Sequence, residues 1–475
     1  MTVWDEFKKT AGVEPVSIDG LNREALKSPP NPSAAVNANP EIEVTPEYQR
    51  VLDWLNVNAP IIFVTGKAGT GKTTLVHFLR GTFSGNTVVV APTGVAALNV
   101  NGSTIHSFFR FPPRVVLDND IQLIRNRQLY RKMKLLIIDE ISMVRADVID
   151  AIDLFLRRNR EVNEPFGGVQ LLMVGDLFQL PPVIKRSDAE ALALMEYDSP
   201  YFFSAKVLKQ CSIVFQELNK IYRQSDPAFI SVLNQVRAAD SVEQILPVLN
   251  QRHLAGNPLG DTVITLACTN RVADSINDRE LGKLNSPLHT FAGEVTGKFG
   301  LGEDKLPSPI NLSLKSGAQV MFTKNDSKKR WVNGTLGRVA ELSANSIRVE
   351  IANAPMQKVI EVKQETWESY KYLYDDDLDR IVPTNIGSYF QYPLMLAWAV
   401  TIHKSQGKTL EKVRVDLGSG AFDYGQVYVA LSRCRSLEDI HLVRPVRHND
   451  IKCDPVIKRF YEALNRNVTG TSSAG

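Results

Sequence analysis

Residues 61–73 read Ile-Ile-Phe-Val-Thr-Gly-Lys-Ala-Gly-Thr-Gly-Lys-Thr, an apolar, β-branched run that passes straight into a glycine-rich turn. The run predicts a buried strand over 61–65, and the residues after Lys72 read as a helix. Between them stands G-x-x-x-x-G-K-T, a pattern whose backbone N–H groups wrap phosphate oxygens at a helix N-terminus. Gly66, Ala68, Gly69, Thr70, Gly71, Lys72, Thr73 and Thr74 are therefore expected to bind a nucleotide, with Lys72 reaching the terminal phosphates and Thr73 holding Mg²⁺. Strand, turn and helix in that order open an α/β domain.

The same texture recurs outward from this stretch. Short apolar runs at 87–91, 135–138, 170–174 and 212–215 are separated by helical stretches, as strands of a buried parallel sheet are. Upstream, Thr45-Pro46 marks a helix start with proline at the first helical position. The first domain is expected over 45–225. A second α/β domain, 226–316 and 387–465, carries strands expected at 263–267, 398–402 and 412–416. It is interrupted at 317–386 by alternating segments, 346–351 and 359–362, with turns at Asn325-Asp326 and Asn333-Gly334, which read as a small antiparallel β-barrel. Residues 1–44, with Pro29, Pro30, Pro32 and Pro40, read as a flexible leader with a short helix at 3–11, and 466–475 as a flexible tail.

The chain of 475 residues exceeds what one core usually supports. With 44% hydrophobic and 23% charged residues it is neither disordered nor fibrous. A net charge of +3 names no partner, although 110–134 and 324–338 are enriched in Lys and Arg. Cys211, Cys268, Cys434 and Cys453 form no C-x-x-C pair, so neither a zinc site nor a disulfide framework is expected, and a reducing compartment fits. No apolar run is long enough to span a membrane and the first residues lack signal-peptide order, so a cytoplasmic or nucleoid-associated location is expected, without membrane partners.

Hydrolysis needs carboxylates and positive charge beside the phosphates. The strand at 135–138 ends in Asp139-Glu140: Asp139 is expected to bind Mg²⁺ and Glu140 to orient or deprotonate the attacking water, an acidic pair that otherwise serves as a helix cap. Gln179, after the strand at 170–174, is placed to sense the γ-phosphate. Arg223 and Arg433 are the candidates for charge at that phosphate, and an arginine supplied by the second domain would couple nucleotide state to domain closure.

Taken in order, these segments resemble the superfamily-one DNA helicases of the Pif-one and RecD-like type. The resemblance covers nearly everything after residue 44: Gln49 in the adenine-recognising position, the glycine loop, Ala91-Pro92-Thr93-Gly94 with Thr104-Ile105-His106-Ser107-Phe108, and Asp139-Glu140-Ile141-Ser142-Met143. There follow Gly175-Asp176 to Pro182, Tyr222-Arg223-Gln224, Thr269-Asn270, Thr401 to Gly407, and Tyr428 to Arg433. The stretch 147–170, with Pro165-Phe166-Gly167-Gly168, looks like the Pif-one signature segment and favours that branch over RecD proper.

The resemblance implies two RecA-like parallel-sheet domains, the barrel as an accessory insertion in the second, and a strand-separating wedge near 108–133. It implies ATP hydrolysis with Mg²⁺, 5′ to 3′ translocation on single-stranded DNA, and unwinding of duplexes, forks and G-quadruplexes, in repair, recombination or replication. Gln49 and Gly407 join the nucleotide-binding set. Pro92, Thr93, His106, Phe108, Asn270, His403 and Ser405 are expected along the strand, where Phe108 either offers a stacking face or packs in the core. The short wedge and compact insertion point to a minimal bacterial or phage-type member working as a monomer. A RecD-like translocase subunit and an ATP-gated DNA-binding switch are the alternatives.

Overall fold

Thr45 begins the first helix by accepting the N–H of Tyr48 on its hydroxyl at 3.3 Å, and Pro46 fills the first helical position, where no N–H is needed. This helix, α1 (Pro46–Asn56), buries Tyr48, Val51, Leu52 and Leu55. The computed structural model describes residues 43–83, 85–253, 263–299, 306–344, 346–351 and 359–469. The helix expected at 3–11 and nearly all of the expected leader lie outside the described residues.

Six parallel strands come next: β1 (Ile61–Gly66), β2 (Thr87–Ala91), β3 (Ser103–Thr104), β4 (Leu135–Ile138), β5 (Gln170–Val174) and β6 (Ile213–Leu218). They lie in the order β3-β2-β4-β5-β1-β6. Every residue of β1, β4 and β5 is buried. That is why these strands read as unbroken apolar runs rather than as alternation. Helices α2 (Lys72–Thr82), α3 (Gly94–Asn99), α4 (Ile105–Phe109) and α5 (Ala146–Arg160) connect them. Val51, Leu55, Val64, Leu75, Leu79, Val89, Ile137 and Leu172 form one core between sheet and helices.

The chain divides into two units. The first holds the described residues to 222 with 370–385 and those from 454 onward, and the second holds 223–369 and 386–453. In the second, α6 (Pro227–Ala238), β7 (Ile264–Ala267) and α7 (Asn270–Gly282) precede a series of antiparallel strands. These are β8 (His289–Ala292), β9 (Glu294–Gly297), β10 (Asn311–Leu314), β11 (Gln319–Phe322), β12 (Leu336–Ser343), β13 (Ser346–Ile351), β14 (Val359–Val362), β15 (Glu365–Asp375), β16 (Arg380–Gln391) and β17 (Leu394–Leu396). The parallel sheet resumes with β18 (Ala399–Thr401), β19 (Val413–Asp416), α8 (Gln426–Leu431) and β20 (Ile440–Leu442), in the order β18-β7-β19-β20.

Where a small barrel was expected, the described strands form a five-stranded sheet, β14-β13-β12-β11-β17, and two smaller ones, β8 with β10 and β15-β16-β9. Among the described residues the edge strands β14 and β17 do not pair with each other. Phe291, Leu312, Leu314, Phe322, Trp331, Val349 and Leu394 share one core, so the β8–β10 ribbon covers the larger sheet.

Two segments fall outside the expected boundaries. Residues 370–385 belong with the first unit, because the Tyr372 ring is buried and its hydroxyl accepts the N–H of Val89 at 3.2 Å. The last helix, α9 (Pro455–Thr469), also joins the first unit and runs past the point where a tail was expected. Phe460 stacks on Phe203 at 4.1 Å between ring centroids, and the hydroxyl of Tyr201 donates to Asp454 at 2.9 Å. Aromatic burial of this kind outweighs chain proximity.

Candidate active site

The loop after β1, the acidic pair after β4 and the Gly175–Gln179 turn after β5 all leave the same edge of one sheet, because neighbouring parallel strands end together. The crevice outside the carboxyl ends of such strands is where open α/β sheets hold ligands. A pocket of about 620 Å³ opens beside Pro60, Lys134, Gln170 and Ser212, at the amino ends of these strands. It contains none of the predicted site residues.

The glycine loop is shaped for close approach. Gly69 and Gly71 adopt φ of +82° and +84°, the left-handed region that favours glycine. A Cβ at Gly66 would lie 2.5 Å from Thr70 Oγ1, and one at Gly71 would lie 2.5 Å from the Tyr48 hydroxyl. That hydroxyl donates to the Gly71 carbonyl at 2.7 Å, and the Tyr222 N–H donates to the Gly69 carbonyl at 2.9 Å. The Lys72 ammonium donates to the carbonyls of Gly66 and Lys67 at 2.8 and 3.0 Å, folded back over its own loop. Ala68 and Thr70 are buried within the loop, while the side chains of Thr73 and Thr74 are exposed on the first turn of α2.

Asp139 is buried, and its carboxyl is pushed well above the usual carboxylate range by burial and by the neighbouring charge of Glu140, with Lys72 opposing. Glu140 has φ of +51°, strained for a residue with a Cβ, and its N–H donates to Asp139 at 2.9 Å. A divalent cation would relieve this carboxylate crowding, so the residues fit the Mg²⁺ expected here. Among the described residues no cluster of three or more His, Cys, Asp or Glu is placed to hold a metal ion. A cation at Asp139 and Thr73 would thus need phosphate oxygens and water for the rest of its shell. Beside the same edge, the buried hydroxyls of Thr65 and Ser142 have no hydrogen-bond partner among the described residues.

Gln179 is buried, with its amide 3.4 Å from the Asp176 carboxylate. Gln49 is half-buried on α1 and donates to Asp53 at 2.8 Å.

Arg223, Gly407 and Arg433 belong to the second unit. The guanidinium of Arg223 donates to the Thr409 hydroxyl at 3.0 Å and to the Ser432 carbonyl at 3.1 Å. Arg433, a candidate for charge at the γ-phosphate, is 1% exposed; it donates to the Val429 carbonyl and the Ser432 hydroxyl, both at 2.8 Å. Gly407 has φ of +78°. Tyr48, Gln224, Thr409 and Ser432 carry no functional signal in the sequence. Gln224 and Ser432 lie inside motifs, but no spacing announces a side chain that supports another.

The residues expected along a nucleic-acid strand gather at strand ends. β2 and β3 pair with Ala91 opposite Thr104, so the segments that carry Pro92 and Thr93 and that carry His106 leave neighbouring strand ends. Thr93 and Thr104 also cap α3 and α4 through their hydroxyls. In the second unit, β18 and β7 pair with Thr401 opposite Ala267, so exposed Asn270 and half-buried His403 leave neighbouring strands. Burial holds the His403 imidazole below its usual range, toward the neutral form.

Two of these residues are packed away from the surface. Phe108 is 6% exposed, packed edge-on against Phe109, Tyr130 and Tyr372, so its ring is core and offers no stacking face. Ser405 is fully buried, and its hydroxyl donates to the Ile402 carbonyl at 2.7 Å, holding a turn rather than facing a strand.

The segment expected as a wedge is pegged to α5 by polar side chains of the signature stretch. Asp147 accepts the N–H of Val116 at 2.9 Å, and the buried Asn159 accepts that of Ile124 at 2.8 Å while donating to the Gln122 carbonyl at 3.0 Å. Arg160 donates to the carbonyls of Tyr130, Met133 and Gly167. A Cβ at Gly167 would meet the Leu156 carbonyl at 2.9 Å, which explains the glycine. The basic charge of this stretch is partly paired, Arg114 with Asp120 and both Arg127 and Arg131 with Glu161.

Comparison with known proteins points to one family. The profile of the PIF1-like helicases matches residues 44–248. The human ATP-dependent DNA helicase PIF1 is 35% identical over 85% of this chain, which spans 61% of that protein's length. The Bdellovibrio bacteriovorus ATP-dependent DNA helicase Pif1 is 32% identical, covering 89% of this chain and 92% of its own. The crystal structure of Bacteroides Pif1 with ADP-AlF4 superposes with a TM-score of 0.81 at 38% identity, covering 90% of this chain and 98% of its own. The same protein bound to single-stranded DNA gives 0.64 at 39% identity, covering 89% and 97%.

Proposed function

The chain belongs to the PIF1-like helicase family, and on that footing we propose that it is an ATP-dependent DNA helicase that moves 5′ to 3′ on single-stranded DNA and unwinds duplexes, forks and G-quadruplexes. The observation that carries the reading is the single sheet edge where the glycine loop, Asp139-Glu140 and Gln179 converge. Bound ATP supplies the phosphoanhydride whose hydrolysis drives movement, and Mg²⁺ neutralises charge on its phosphates.

Each side chain has a role in this reading. The loop N–H groups from Gly66 to Thr74, Ala68 and Thr70 included, cradle the phosphates at the N-terminus of α2. Lys72 exchanges its loop carbonyls for phosphate oxygens. Asp139 and Thr73 hold the cation, and Glu140 orients water for attack. Gln179 reads the γ-phosphate, Gln49 the adenine, and Gly407 the nucleotide from the second unit, while Arg223 and Arg433 supply positive charge. Pro92, Thr93, His106, Asn270 and His403 contact the strand without reading its bases.

We take the protein to act as a monomer in genome maintenance, close to the nucleoid. No described helix is long and apolar enough to cross a membrane. The test is strand displacement by the purified chain on duplexes with a 5′ or a 3′ single-stranded tail, with and without Mg²⁺. Unwinding from the 5′ tail alone, with DNA-stimulated ATPase, is expected. DNA-stimulated ATPase without unwinding from either tail would point to a translocase that needs a partner.

A further inference from the structure

The two arginines assigned to the γ-phosphate are tied together by Gln224, a residue with no part in the reaction as proposed. Gln224 is 4% exposed, and its side-chain amide donates to the carbonyl of Ser432 at 3.1 Å and to that of Cys434 at 2.8 Å. These carbonyls stand immediately before and after Arg433. The Ser432 carbonyl is also the acceptor for Arg223, at 3.1 Å, so both arginines share one anchored peptide. The backbone on the other side is held too: the N–H of Leu410 donates to the Arg433 carbonyl at 3.0 Å, beside the Thr409 hydroxyl that Arg223 engages.

We propose that Gln224 is a positioning residue for ATP hydrolysis. Its amide fixes the peptide groups flanking Arg433, and so sets where the guanidinium groups of Arg433 and Arg223 stand when charge develops on the γ-phosphate. Both acceptors are backbone carbonyls, so the task requires a donor with two N–H groups on one short arm. Glutamine provides it, whereas glutamate and methionine of similar reach do not. A misplacement near 1 Å at a group acting on the transition state lowers turnover by about 100-fold, while binding of the ground state changes little. The proposal rests on the reading of Arg223 and Arg433 as γ-phosphate groups.

The experiment compares the full-length wild type with Gln224→Met, Gln224→Glu and Arg433→Ala. Affinity for ADP is measured with and without aluminium fluoride, which mimics the phosphoryl group in transit, beside kcat, KM for ATP and thermal melting. Arg433→Ala is expected to lose the tightening that fluoride gives; if it keeps it, the arginine reading itself fails. Both Gln224 variants are expected to stay folded with a lowered melting temperature, because buried carbonyls lose a donor, and to lose about 10- to 100-fold of that tightening and of kcat while ADP affinity and KM stay close to wild type. Normal tightening in the Gln224 variants while Arg433→Ala has lost it would overturn the proposal. Unfolding of both Gln224 variants, or an equal loss of ADP affinity with and without fluoride, would also overturn it, because the residue would then be structural alone.

Discussion

The nucleotide edge and the neighbouring segment 110–133 are built from opposite kinds of contact. At the nucleotide edge, local rules are broken: Glu140 sits at φ +51°, Asp139 is buried against a second carboxylate, and two buried hydroxyls, Thr65 and Ser142, have no partner among the described residues. Along 110–133 the peptide groups of Val116, Ile124 and Met133 are answered by Asp147, Asn159 and Arg160 on α5. Strain and crowding that cost stability collect at the proposed nucleotide site, and the adjoining segment is held by contacts that contribute stability.

The sharpest way to test this contrast is to remove its most consequential group on each side. Lys72→Ala is expected to lower ATPase by about 1,000-fold or more, with strand binding and melting temperature nearly unchanged, since removing a charge partner of a phosphate acts on the reaction alone. A variant that keeps its ATPase would sink the nucleotide assignment. Asn159→Ala should do the reverse. It leaves the buried Ile124 N–H and the Gln122 carbonyl unanswered and is expected to cost about 2–4 kcal/mol, read by denaturant unfolding, with new protease cleavage confined to 110–133.

Asp139→Asn tests the sign of the crowding. The folded-state pKa of Asp139 is raised, so its neutral form contributes stability at low pH that is lost as pH rises through that pKa toward neutrality. Without divalent cation or nucleotide, the Asn variant should therefore match wild type near pH 4 and melt higher at pH 8, by about 2–4 °C for each kcal/mol relieved. With Mg²⁺ and nucleotide the order should invert. A variant that melts lower than wild type at pH 8 without cation would show that the crowding costs the fold nothing. The smallest effect is expected from Tyr372→Phe, which removes one hydroxyl from the Val89 peptide: a loss of about 0.5–1.5 kcal/mol, seen as a shift in the unfolding midpoint at unchanged ATPase per folded molecule.

Much of the candidate site is legible in the amino-acid sequence. The strands expected at 87–91, 135–138 and 170–174 are observed at those residues, because a strand buried on both faces must be apolar over most of its length. The glycine loop is legible because its φ values and close contacts exclude side chains. Burial of functional-looking side chains is not. Phe108 could face a base or a core, and only Tyr130 and Tyr372, far away in sequence, decide for the core.

By itself, then, the sequence determined the elements whose requirements are local: apolar strand periodicity, glycine at left-handed positions, the helix start at Thr45, and the charged pair after β4. Tertiary structure alone decided that residues 370–385 and helix α9 join the first unit, that Arg433 and Ser405 are buried, and that Gln224 spans the peptides around Arg433. Those outcomes depend on contacts between residues tens to hundreds of positions apart. Their energies arise from burial and hydrogen-bond satisfaction in three dimensions, which no periodicity along the chain encodes.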